Sequence, residues 1–129
     1  MHPSYFAMVE GAEGLPAAEH HLPAETSEWL FHIGLWDEIN RRIGTQFGQY
    51  EDETLQPELV AGALACIQSA RAQIASQTLP QFQFTIAWDA GGGPIQCTAR
   101  AGEVADDLFA LTAFLEQAQQ ACLPVFCQL

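Results

Sequence analysis

At Pro80 the spacing of apolar residues changes, and that change limits what the chain can fold into. Upstream, apolar residues recur at three- and four-residue steps, the mark of one helical face. Downstream, Phe82, Phe84, Ile86 and Trp88 alternate with Gln81, Gln83, Thr85 and Ala87, the pattern of a strand with one buried face. A loop from Asp89 to Pro94 and a second strand, Ile95–Arg100, complete a β-hairpin with a glycine-bearing turn. The helical period then returns. Val104, Leu108, Leu111, Leu115, Ala118 and Cys122 predict a helix over 103–122, with Glu103, Asp106 and Asp107 placed favourably against its dipole. Pro124–Leu129 closes the chain as a strand, and a leading proline suits a sheet edge.

Before the switch, Trp36, Ile39, Ile43, Phe47 and Tyr50 mark a helix from about Trp36 to Phe47. That stripe runs into a carboxylate cluster, Glu51-Asp52-Glu53, and then Pro57, a good first residue for a second helix over Glu58–Ser76. Residues 35–77 therefore read as an antiparallel helical hairpin with an acidic link. Trp29–Ile33 is read as a strand or extended segment, because Gly34 argues against one long helix from Ser27. Residues 1–27 form a loop-rich segment with a short strand, Tyr5–Val9, and an exposed loop from Glu10 to Thr26 that holds His20 and His21. The 129 residues fit one domain, with the β-hairpin, helix and final strand over 81–129. This order predicts an α+β fold. The expected form is a small two-layer domain, with an antiparallel or mixed sheet of roughly three to five strands and about three helices packed on one face.

Charge then narrows the function. Sixteen acids face four bases, all arginine, and the net charge is −12. Residues 1–58 hold eleven acids and two arginines, net −9, against five acids and two arginines, net −3, over 59–129. Such a field repels nucleic-acid backbones and anionic membranes, and it attracts basic partners. No apolar stretch approaches the roughly 18 residues of a membrane span. No basic region followed by an apolar run opens the chain, so a reducing cytoplasm is expected, with Cys66, Cys97, Cys122 and Cys127 as small buried hydrophobes.

Several chemistries lack their residues. Without lysine there is no P-loop and no Schiff base. No GxSxG elbow occurs, and Gly91-Gly92-Gly93 lies between strands, where it serves a turn. His20, His21 and His32 could supply metal ligands beside Glu19, Glu25 or Glu28, but no HxxxH or HExxH spacing occurs. Glu51-Asp52-Glu53 lacks the alternation and glycine of a calcium loop. No cofactor is expected.

The reading that remains is a non-enzymatic protein-binding domain of acidic inhibitor, immunity-type or chaperone-like character. Its expected contact residues for a basic partner are Asp37, Glu38, Glu51, Asp52, Glu53 and Glu58, with Trp36 and Tyr50 as aromatic neighbours. One alternative is a self-associating structural or regulatory domain. Its homodimer contact would be the nearly uncharged face of Gln83, Thr85, Gln96, Thr98 and Gln128. A further alternative is a small metal-dependent enzyme built on the three histidines.

Overall fold

The computed structural model describes all 129 residues and is α+β, as the change of period predicts. Two strands, β1 (Ser4–Glu10) and β2 (Leu15–Leu22), form the first hairpin, with Gly11 and Gly14 supplying the positive φ its turn requires. Helices α1 (Ala24–His32) and α2 (Leu35–Ile43) follow, then strand β3 (Asp52–Leu55), a 3₁₀ turn over Pro57–Leu59 and helix α3 (Val60–Ala75). Strands β4 (Gln81–Trp88) and β5 (Pro94–Arg100) lead into helix α4 (Ala101–Ala121) and strand β6 (Val125–Gln128).

Four strands make one antiparallel sheet in the order β2-β1-β6-β3. Its inner face carries Phe6, Met8, Leu22, Leu55, Val125 and Cys127, all buried among the helices. The outer face carries Tyr5, His21, Glu19, Phe126, Gln128 and Asp52, related by strand parity. β6 is interior rather than at the edge suggested by Pro124, because Pro124 precedes the ladder and Val125 and Cys127 fill the core.

The β4–β5 hairpin forms as expected, yet it stands apart as a two-stranded ribbon instead of joining the larger sheet. It leans on α1, where Trp29 stacks on Phe82 with centroids 4.4 Å apart and rings 3° from parallel. The alternation also breaks. A register shift between Thr85 and Ala87 makes Ile86 a bulge, so Phe82 and Phe84 face the core while Trp88 is 68% exposed.

Four further expectations yield to local chemistry. The loop expected over Glu10–Thr26 contains β2, an edge strand of weak propensity held by its pairing with β1. Trp29–Ile33, expected as extended, belongs to α1 and the turn after it, and Gly34 at φ +74° separates α1 from α2. The helix expected to reach Phe47 ends at Ile43, where Gly44 takes φ +77°. The acidic link of the expected helical hairpin contains β3, although α2 does pack back along α3, with Ile43 against Gly62.

Candidate functional site

The expected contact residues are spread over α2, the start of β3 and the 3₁₀ turn. Tyr50, Glu51 and Asp52 are exposed where the chain enters β3, and Glu53 is half-buried on the same edge strand. Asp37 and Glu38 stand on α2, which packs on α3 and α1, and Glu38 is engaged by Arg42 at 2.9 Å. Glu58 is exposed in the 3₁₀ turn. Trp36 is 3% exposed and sits in the core, with Phe47, Phe6 and Phe31 ring centroids at 5.1, 6.2 and 6.2 Å. A side chain so enclosed cannot reach a partner, so Trp36 leaves the contact set.

Beside the Glu51–Asp52 edge, the outer face of the sheet opens into a groove of about 780 Å³. Three other depressions hold about 100–200 Å³. Tyr5, Glu19, His21 and Gln128 form its sheet side, and His2 and Tyr50 close it, with their rings meeting edge-on at 5.3 Å. Strand register explains the grouping. Tyr5 is cross-strand to His21 and Gln128, and Gln128 is cross-strand to Asp52. The Tyr5 hydroxyl donates to Glu19 Oε1 at 2.6 Å, and that bond is the main reason its pKa rises above the ordinary phenol value. The Leu129 N–H donates to the Glu51 carbonyl at 3.1 Å, which ties the acidic edge to the end of the groove. No arginine lines this groove, so its titratable walls are carboxylate, imidazole and phenol.

Behind Tyr50 lies a buried polar group that the sequence offers only as a possible metal ligand. Glu28 on α1 is 5% exposed; its Oε2 accepts from Gln49 Nε2 at 2.8 Å and its Oε1 from the Tyr50 hydroxyl at 3.1 Å. Tyr50 is 61% exposed, and partial desolvation of its hydroxyl together with the Glu28 bond pushes its pKa up. The buried face of α1 also carries Thr26, which donates to Asp107, and Ser27, whose hydroxyl pairs with that of Ser4. The signal that could have exposed this face is a helix start after Pro23 with polar residues on its inward side.

The three histidines diverge. His20 and His21, neighbours on β2, point to opposite sheet faces, and His32, on α1, lies tilted against Phe84 of β4 with centroids 4.9 Å apart. No group of three or more His, Cys, Asp or Glu side chains is arranged to hold a metal ion. All four cysteines are free; Cys66, Cys97 and Cys127 are buried, whereas Cys122, expected inside, is exposed at the end of α4. Burial raises the Cys127 thiol far above its ordinary pKa, so it is not a poised nucleophile. No helix is long and apolar enough to cross a membrane. No family model, curated protein or solved structure matches the chain.

Proposed function

We propose that this chain is a non-enzymatic protein-binding domain that receives a basic partner along the groove and the β3 edge. The observation that supports it most is the groove itself: tyrosine rings and Glu19 line it, no arginine is among its walls, and the adjoining strand edge carries Glu51 and Asp52. Aromatic faces and carboxylates together attract cationic side chains, and an exposed acidic edge accelerates encounter with a basic surface. Tyr50, Glu51, Asp52 and Glu53 remain the proposed contacts, joined by Tyr5 and Glu19. Asp37, Glu38 and Glu58 contribute to the long-range field.

The test is capture from a lysate of the source cells at low salt and at about 0.5 M, where the Debye length falls to roughly 4–5 Å. Capture alone decides nothing. The expected result is a salt-sensitive basic partner lost to Glu51→Lys/Asp52→Lys and retained by Asp37→Lys/Glu58→Lys. Equal loss in both pairs would reduce the effect to net charge and remove the groove.

A second reading, self-association through the ribbon, is favoured by one observation. Gln83, Thr85, Gln96 and Thr98 share the outward face of β4–β5, with Gln96 Nε2 donating to Thr85 Oγ1 at 2.7 Å. Gln128, expected with them, belongs to the other sheet and lines the groove.

A further inference from the structure

Glu28 is the only carboxylate that the fold buries, and it has no cation. Its two hydrogen-bond donors, Gln49 and Tyr50, are both neutral. The ion pairs of the chain are Arg42–Glu38 and Arg100–Glu103, so none of the four arginines serves it. Burying a carboxylate without a counter-charge is unfavourable, and native proteins usually pair such a group. An ionised carboxylate offers about four acceptor positions, so two neutral donors leave capacity on Glu28 for further N–H groups.

That side chain lines a depression of about 160 Å³ between α1 and β4. Phe31, His32 and Phe84 supply aromatic walls, and Thr85 stands on the ribbon side. The volume is below the roughly 300–1,000 Å³ of sites that enclose a drug-sized ligand, and it suits a head group. Aromatic faces around a carboxylate favour a planar, weakly hydrated cation that can stack while it donates, which describes guanidinium better than ammonium. The neighbouring Tyr50 has φ +64°, a left-handed backbone that a bulky residue rarely adopts.

We infer that the α1–β4 depression is a guanidinium pocket, with Glu28 as its anion, that seats an arginine side chain of the basic partner. The source of the arginine rests on the function proposed above; the chemistry of the pocket is testable without it. N-ethylguanidinium chloride is titrated into the ¹⁵N-labelled chain while the backbone amides of His32 and Thr85 are followed, with ethylammonium chloride as the control. Saturable shifts are expected with the guanidinium probe, and at least about fivefold weaker binding with the ammonium. Glu28→Gln is expected to weaken probe binding about tenfold or more. Its melting curve shows whether that variant folds. Gln49→Arg decides the matter independently, because a built-in guanidinium beside Glu28 should block the probe and raise the melting temperature.

No saturable shift in the wild type, or an undiminished response in Gln49→Arg or in folded Glu28→Gln, overturns the pocket. Glu51→Lys/Asp52→Lys separates this inference from the function it rests on, since it should abolish capture and leave the probe shifts intact. Probe binding without any salt-sensitive capture keeps the pocket and removes the basic protein. Capture without probe binding removes the pocket.

Discussion

Asn40 sets where α2 stops. Its Nδ2 donates to the Phe47 carbonyl at 2.8 Å, and its Oδ1 accepts from Thr45 Oγ1 at 2.8 Å and the Phe47 N–H at 2.7 Å. With Gly44 in the left-handed region, this side chain holds the turn that delivers Phe47 to the core. Each such bond contributes about 0.5–1.5 kcal/mol net, so Asn40→Ala is expected to lose about 2 kcal/mol in urea unfolding at unchanged m. A loss under about 0.5 kcal/mol would show that Gly44 suffices. His20 makes a second prediction of this kind. Its ring stacks on Phe114 with centroids 5.5 Å apart, and its Nε2 is buried without a hydrogen-bond partner. Burial lowers its pKa, His21 lowers it further, and Asp107 opposes both. The unfolded chain therefore binds this proton more readily than the folded one. The stability is complete above the unfolded value, near pH 6.5, and is lost as the pH falls through it toward the folded value. Unfolding curves at about pH 7.5 and 5.5 should show a smaller acid decrement for His20→Phe than for the wild type. Equal decrements would place the acid sensitivity elsewhere.

At the scale of elements, legibility follows from how each face is made. α3 and α4 bury apolar stripes, and β4 and β5 bury alternate residues at their inner ends, so periodicity announces them in the sequence. α1 buries Thr26, Ser27 and Glu28 with Leu30, and a polar inward face carries no hydrophobic signal. β2 has no β-branched residue and no Phe, Tyr or Trp, and it exists because β1 pairs with it. The same causes divide the candidate site. The acids of the β3 edge are visible as a cluster, whereas the groove joins His2, Tyr5, Glu19 and His21 to Tyr50 and Gln128 through sheet order, which no local pattern encodes. Glu28 was legible only as a possible metal ligand, since its burial depends on α1 being helical. The ribbon bears a prediction of its own. Its outward face is neutral on a molecule that otherwise repels its copies, and Trp88 lies exposed where the strands end. If this face joins two chains, Thr85→Glu/Thr98→Glu should convert a dimer to a monomer in sedimentation. An unaltered mass would remove the self-association reading.

Over the whole molecule, charge works against compactness. The net charge is −12, and the ion pairs are two exposed contacts between near neighbours on the chain, Arg42–Glu38 and Arg100–Glu103. Exposed pairs of this kind contribute little, so local attraction does not offset the repulsion among sixteen carboxylates. The folded state concentrates that charge, whereas the unfolded chain spreads it, so the fold carries the larger self-repulsion. Salt screens it: the Debye length falls from about 30 Å at 0.01 M to about 10 Å at 0.1 M and 3 Å at 1 M. Sodium chloride should therefore raise the melting temperature, most steeply in the first few tenths molar. A gain of about 1 kcal/mol corresponds to roughly 3–6 °C in a domain of this size. The same salt should weaken capture of a basic partner, because attraction between molecules is screened as repulsion within one is relieved. Opposite trends in melting and capture are thus the expected signature of one field acting on both. A melting temperature that is flat or falling between about 0.01 and 0.5 M would show that the carboxylates lie far enough apart to be independent. Electrostatic attraction along the groove would then have to be strictly local, confined to Glu19, Glu51 and Asp52.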